Sequence, residues 1–157
     1  MIDVCQPDGT RFEHHAVDIP QVAAAAVLDR DRVLMLWRHR FITDTWSWEL
    51  PAGVVDDGED PRQAAERETL EETGVAARGL RDLVYVLPAP GISTAEHHVF
   101  WTYDFTVTEG NVDPNESSAI DWIPLGTALE KIDQRVINVG LTIAALLRLR
   151  EIVKVSD

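Results

Sequence analysis

The chain is expected to fold as an α/β sandwich, a mixed sheet held between helices. Three observations lead there. Short runs rich in Val, Leu and Ala, each bounded by turn residues, recur through the first two thirds of the sequence. A helix with clear start and stop signals interrupts them at about 61–73. A segment near 139–149, apolar over most of its circumference, reads as a closing helix that must bury itself against the sheet or a partner subunit.

The elements follow in order. Residues 1–18 hold two short runs, 2–6 and 11–17, around Pro7-Asp8-Gly9-Thr10, the signature of a hairpin. His14 and His15 are neighbours on the second run and point to opposite faces, poor geometry for a shared metal and better suited to a surface or dimer contact. A second hairpin joins 21–28 to 32–37 across Asp29-Arg30-Asp31. Arg38 and Arg40 follow at its edge, either as a solvated strand end or as contacts to a ligand's phosphate or base. Trp46 and Trp48 share a side under strict alternation, which suits core packing or, for one of them, stacking on a nucleobase.

In the central helix, Asp60 caps the first free amides, Pro61 sits where its missing N–H costs nothing, Gln63 completes a capping box, and Gly74 supplies the stop. Beyond it, 80–87 and 99–107 read as two strands separated by Pro88-Ala89-Pro90-Gly91. The polar stretch 109–118 is a loop, and 120–124 a short strand. Thr127 with Glu130 offers a capping box for a helix to about Ile132.

Length, charge and cysteine usage bound the function. At 157 residues the chain fits a single domain, 1–157, with a sizeable core. Its net charge of −13 argues against a nucleic-acid-binding surface, which needs clustered Lys and Arg. No apolar run approaches the roughly 18–20 residues of a membrane span. The opening Met-Ile-Asp-Val-Cys-Gln lacks the features of a secretory signal, and one cysteine, Cys5, leaves no internal disulfide. A soluble cytoplasmic protein is expected, with no nucleic-acid or membrane partner.

The chemistry gathers on the central helix. Glu68, Glu71 and Glu72 stand at i, i+3 and i+4 and therefore share one face. Three like charges so close repel one another. A solvated acidic face near a helix N-terminus is one explanation; a hard divalent cation that offsets the repulsion is the other. An acidic protein draws in a phosphate-bearing substrate only through bound cations, which favours the second.

Gly53, Glu59, Arg67, Glu68, Glu71, Glu72, Gly74 and Val75 fall at the spacing Gly-x5-Glu-x7-Arg-Glu-U-x-Glu-Glu-x-Gly-U, where U is bulky and apolar. The sequence thus resembles the Nudix hydrolases, which cleave nucleoside diphosphates linked to another moiety. Thr69 stands at the first U position and keeps a β-branched shape there. Within that superfamily, Trp48-Glu49-Leu50-Pro51-Ala52-Gly53, the Pro90-Gly91 pair and the final helix look like those of ADP-ribose pyrophosphatases and related nucleoside-diphosphate-sugar hydrolases. Arg38-His39-Arg40 departs from the Gln-Tyr-Arg usual in that group, and the N-terminal segment is shorter than the swapped domain of its longer members.

The resemblance implies a Nudix-type α/β/α sandwich and hydrolysis of a pyrophosphate bond with Mg²⁺ or Mn²⁺. It assigns the metal to Glu68, Glu71, Glu72 and the carbonyl of Ala52, with Arg67 bracing a glutamate and Glu59 supporting the loop and helix. It puts a general base on the loop before the last strand, where Glu116 is favoured over Asp113 and Asp121. Arg38, Arg40, Trp46 and Pro90 are the candidate substrate contacts. ADP-ribose, cleaved to AMP and ribose 5-phosphate, leads the candidate substrates. Another nucleotide sugar, a dinucleotide or a nucleoside triphosphate, or a non-catalytic ADP-ribose sensor, are the alternatives. A homodimer is expected, because the terminal helix and the N-terminal hairpin need cover.

Overall fold

A computed structural model describes residues 1–108 and 118–153. The predicted hairpins form as β1 (Ile2–Cys5) with β2 (Arg11–His14), and β3 (Val22–Asp29) with β4 (Arg32–Arg40). After the turn at Arg30, whose φ is +59°, β4 continues to Arg40, so Arg38 and Arg40 lie within the strand rather than beyond it. Two strands without a sequence assignment follow, β5 (Thr45–Glu49) and β6 (Ala52–Val54). The central helix α1 spans Pro61–Thr73; Asp60 accepts from the Arg62 N–H, and Gly74 closes the helix at φ +70°.

β7 (Val75–Arg78) then leads to β8 (Arg81–Val86). The run expected as one strand over 99–107 is two, β9 (His97–Thr102) and β10 (Asp104–Val107), broken at Tyr103. Thr102 Oγ1 donates to the Arg78 carbonyl at 2.6 Å and accepts from the Asp104 N–H at 2.9 Å, so one hydroxyl turns the chain out of the main sheet. β10 pairs with β7 instead, a two-stranded ribbon that no local pattern announces.

β11 (Ala119–Pro124) runs directly into α2 (Leu125–Asp133). The Thr127–Glu130 capping box does not open this helix: Pro124 is the N-cap without a side-chain bond, and Thr127 lies inside the first turn. The Leu125 N–H donates to the Asp31 carbonyl at 2.8 Å, so a tertiary contact satisfies a helix-end donor. α3 (Gly140–Ile152) ends the described chain.

The main sheet runs β11-β4-β3-β9-β8, with β3 and β9 parallel and the other pairs antiparallel. The alanine run of β3 explains how helices approach both faces. Ala23 and Ala25 face α1 through Ala64 and Ala65, while Ala24 and Ala26 face α3 through Ala145, Leu146 and Leu149, all fully buried. Side chains without bulk let both layers close on one strand. The face of α3 that carries Leu141, Ala145, Leu146 and Leu149 is buried by the sheet itself, while Leu147 stays exposed, so the sheet covers most but not all of the apolar circumference.

One topological feature creates the site. The edge of β3 pairs with β4 at Leu28 and Asp29 but with β6 at Val22 to Ala24, and β4 in turn pairs with β5 from Leu36 to Arg40. The two hairpin strands thus part company, and Leu50-Pro51, joining β5 to β6, fills the fork. Proline suits that crossing because it has no N–H to leave unpaired, while its carbonyl accepts from Ala25 N–H at 3.2 Å.

Candidate active site

The alternation of β4 puts Arg38 and Arg40 on one face and Trp37 and His39 on the other. On the aromatic face, Trp46 stacks on Trp37 at 5.8 Å, Trp48 tilts against Trp37 at 5.4 Å and His39 lies 5.0 Å from Trp46. Trp46 remains exposed, so one indole is both braced by a neighbour and open to solvent.

The arginine face looks toward α1. Arg38 Nη2 donates to Glu72 Oε1 at 2.5 Å, and both side chains are buried. The other Glu72 oxygen accepts from the Ala52 N–H at 3.0 Å, so this last glutamate of the motif is bound to both sides of the fork. Burial pushes the Glu72 carboxyl up from its ordinary value, against the opposing pull of Arg38. Arg40 grips the buried Glu49 with two nitrogens, Nε to Oε1 at 3.1 Å and Nη2 to Oε2 at 2.5 Å. That bond raises the Arg40 pKa further.

Arg67 organises the opposite side. It donates to both oxygens of Glu59 at 3.0 and 2.9 Å, to Glu68 at 2.6 Å, to Glu71 at 3.3 Å and to the Val54 carbonyl at 3.1 Å. A guanidinium has five N–H donors in a fixed fork, which is why one arginine can tie the loop to the helix in this way. Glu59 also accepts from the Asp56 N–H at 3.1 Å; these bonds, Arg67 foremost, hold its carboxyl below the ordinary range. Glu71 is the exposed member of the set. Thr69, at the position where a bulky apolar residue was expected, is fully buried and returns its hydroxyl to the Ala65 carbonyl at 2.6 Å.

A cleft of about 240 Å³ opens beside this assembly, bounded by Arg40, Glu49, Ala52, Gly53, His97 and Thr142. Thr142 Oγ1 accepts from the Leu50 N–H at 3.3 Å and so ties α3 to the fork. A larger hollow of about 570 Å³ adjoins it, sharing Arg40 and Val139 and edged by the exposed Phe41 and Ile42.

Glu68 and Glu72 therefore meet the Ala52–Gly53 backbone at the fork, and Glu71 is tied to Glu68 through Arg67; with the Ala52 carbonyl these offer only oxygen donors, which suit a hard divalent cation rather than a thiophilic one. Among the described residues no three His, Cys, Asp or Glu side chains form a ready-made cage, because Arg38 and Arg67 engage the carboxylates. Arg38, a candidate substrate contact, lies on Glu72, and Arg40 lies on Glu49 at the cleft. Pro90 is in the exposed turn after β8, where His14 Nε2 meets the Gly91 carbonyl at 2.8 Å. Glu116 and Asp113 fall outside the described residues; Asp121 is exposed on β11 opposite Met35.

Sequence reasoning gave no role to three residues of the cleft. Glu49 was read only as part of a motif, yet it is 2% exposed and held by Arg40. His97 contributes to the wall; burial, with a smaller effect of His98, lowers its pKa, and its Nδ1 is buried without a hydrogen-bond partner. Thr142 reaches the fork from the last helix. The two-residue spacing of Arg38 and Arg40 was the signal available for a shared charged face.

Comparison with known proteins gives the family. The NUDIX domain model matches residues 19–139. A CMP-5'-(N-acetyl-N-hydroxy-3-aminopropyl)phosphonate hydrolase of Streptomyces rubellomurinus is 40% identical over 92% of this chain and 71% of its own length. An ADP-ribose pyrophosphatase of Bacillus subtilis is 30% identical over 95% of this chain and 83% of its own. The crystal structure of an ADP compounds hydrolase superposes with a TM-score of 0.84 at 21% identity, covering 97% of this chain and 83% of that one, which shows a shared fold. With Glu68 and Glu72 drawn to the fork of a mixed sheet and its sequence matching the domain model over residues 19–139, the chain belongs to the Nudix hydrolases.

Proposed function

We propose that this Nudix hydrolase cleaves the phosphoanhydride bond of a nucleoside 5′-diphosphate linked to another moiety, with Mg²⁺ or Mn²⁺, and that ADP-ribose, giving AMP and ribose 5-phosphate, is its leading substrate. The observation that carries this is the delivery of Glu68 and Glu72 from α1 to the Ala52–Gly53 backbone at the mouth of the cleft. The similarity to the ADP-ribose pyrophosphatase of Bacillus subtilis supports the choice of substrate. A second reading, a cytidylyl phosphonate, is favoured by the 40% identity to the Streptomyces hydrolase. Both compounds present the same target, a P–O–P linkage next to a nucleoside monophosphate.

Glu68, Glu71, Glu72 and the Ala52 carbonyl would hold the metal, which when bound supplies Lewis-acid polarisation and offsets the charge of the diphosphate. Arg67 fixes Glu68 and Glu71 in direction through charge-assisted hydrogen bonds. Glu116 takes the proton of the attacking water as the P–O bond to the leaving phosphate breaks. Arg38 and Arg40 are the proposed diphosphate contacts; Trp46, on the opposite face of the sheet from them, and Pro90, in the turn after β8, lie outside the residues that bound the cleft and would meet only a base or sugar that extends beyond it.

The test is incubation with ADP-ribose, a cytidylyl phosphonate, NADH and a nucleoside triphosphate in the presence of Mg²⁺, with the products identified. Cleavage of none of them, by protein shown to be folded, would leave the non-catalytic sensor as the better reading. The same proposal extends to a single unit over 1–157, a cytoplasmic setting and a homodimer. The exposed Ile2 and Phe12 of the N-terminal hairpin support the dimer; light scattering at micromolar concentration reads it. No helix among the described residues is long and apolar enough to cross a membrane.

A further inference from the structure

Four polar side chains stand in the wall of the smaller cleft, and three of them are engaged within the protein. Arg40 and Glu49 hold each other, and the Thr142 hydroxyl accepts from the Leu50 N–H. His97 is the fourth, and its ring makes no hydrogen bond among the described residues. Its Nδ1 is buried, which leaves Nε2 as the nitrogen that can meet the cleft. A cationic ring would bury an N–H at Nδ1 with no acceptor, an unfavourable state, so the ring is neutral. Burial, with a smaller effect of His98, lowers its pKa in keeping with that. Of the two neutral tautomers, the one protonated at Nε2 keeps its N–H where water or a ligand can reach it.

The sheet sets how far this donor stands from the reacting bond. Val54, Val22 and His97 lie in one row across β6, β3 and β9. Two strand spacings, about 10 Å, therefore separate the His97 backbone from β6, whose first residues, Ala52 and Gly53, are the proposed seat of the diphosphate. An imidazole in the wall of the same cleft reaches a group joined to the diphosphate rather than its scissile bond. The cleft of about 240 Å³ suits a sugar ring, and the larger hollow edged by Phe41 and Ile42 suits a flat base. We propose that His97 is a specificity-determining residue whose Nε2–H donates to a hydroxyl oxygen of the sugar joined to the nucleoside diphosphate. The inference rests on the reading above, that such a diphosphate occupies this cleft, and adds the residue that selects the attached group. With an alkyl group in place of the sugar, the His97 N–H loses water on binding and gains no partner in exchange. A histidine that merely fills the wall would treat both compounds alike.

The experiment measures binding by calorimetry in Mg²⁺ with two α,β-methylene analogues, which cannot be cleaved between their phosphates. One is the analogue of ADP-ribose; the other, of the β-methyl ester of ADP, keeps the nucleotide and lacks the second sugar. Wild type is expected to bind the first roughly tenfold more tightly, the order of one hydrogen bond. His97→Leu is expected to lose most of that preference, and His97→Gln, whose amide nitrogen can take the place of Nε2, to keep most of it. A folded His97→Leu with the wild-type preference overturns the proposal, as does a wild type that binds both analogues alike. Should the variants fail to fold, imidazole ¹⁵N spectra of wild type decide it. The His97 Nε2 resonance is expected to move with the ADP-ribose analogue well beyond its movement with the methyl ester; equal movement overturns the proposal. Turnover of ADP-ribose itself keeps the two readings apart. Selective binding that depends on His97 without cleavage removes hydrolysis and keeps the role of His97, whereas cleavage with equal binding of both analogues does the reverse.

Discussion

The Glu68 carboxyl lies so close over the α-carbon of Gly53 that a Cβ added there would overlap it. Gly53 is not among the glycines of positive φ, so space rather than backbone freedom is what this position requires. The obstructed group is the far end of a flexible side chain, which can swing aside without disturbing the core. Gly53→Ala is therefore expected to leave the melting temperature nearly unchanged while displacing Glu68. A shift of about 1 Å at such a group can lower the rate roughly a hundredfold. Steady-state kinetics beside a thermal melt would check it, and a variant with ordinary kcat would show that the position of Glu68 is not critical.

Glu72→Gln should reduce turnover by orders of magnitude. The amide keeps the shape of the side chain and can still accept from the Ala52 N–H, so circular dichroism is expected to look native. What it lacks is the negative charge that a cation needs. Near-normal turnover would remove Glu72 from the metal set.

Glu116→Ala is expected to slow the reaction while leaving Mn²⁺ affinity close to wild type. Metal-bound glutamates are poor proton acceptors, so the base must come from elsewhere. Loss of general-base assistance typically lowers a rate by about 10²–10⁴-fold. An unchanged rate passes the role to Asp113 or Asp121.

Arg40→Ala tests the buried Glu49. Removing the arginine leaves a carboxylate 2% exposed without its bidentate partner. Breaking a fully buried pair costs about 3–5 kcal/mol. The Arg40 side chain is 46% exposed, so water screens part of the interaction and about 2 kcal/mol is expected. Urea denaturation would measure it. Adding Glu49→Gln should recover part of the loss; a double variant no more stable than Arg40→Ala would mean the charge of Glu49 is not the cause.

The acid limb of stability should carry the mark of Glu59. Its hydrogen bonds, Arg67 first and the Asp56 N–H second, hold the folded pKa below the ordinary 4.5. The unfolded chain then binds more protons in that interval, so the contribution is fully present above pH 4.5 and is lost as pH falls through the lower folded value. Glu59→Gln should lower the melting temperature by a constant amount at neutral pH, with the gap closing in that acid interval. A gap independent of pH would contradict the assignment.

Local signals located α1 well: its cap, proline and terminal glycine depend on neighbours within a few residues, and helix and prediction share the bounds 61–73. The apolar runs of β3, β4, β8 and β11, each bounded by turn residues, were legible for the same reason. The failures have a common cause. β10 leaves β9 because Thr102 bonds to Arg78, a residue distant in sequence. α2 begins at Leu125 because its first donor meets Asp31, not because Thr127 caps it. For the terminal helix the sequence left the sheet and a partner subunit both open as cover, and the alanine-lined strand that lets it approach the sheet decided for the first over most of its surface.

The amino-acid order alone decided the chemistry on offer: carboxylates on one helical face, an arginine beside them, a glycine-bracketed loop in front, and hence the family. Those features repeat at short, fixed intervals, and covalent connectivity with helical geometry is enough to align them. Only the folded chain decided that β3 and β4 separate into a fork, that Arg38 crosses it to reach Glu72, and that Arg40 closes on Glu49. Those pairings join residues brought together by the sheet, where burial makes opposite charges seek each other, and no stretch of sequence contains that information by itself.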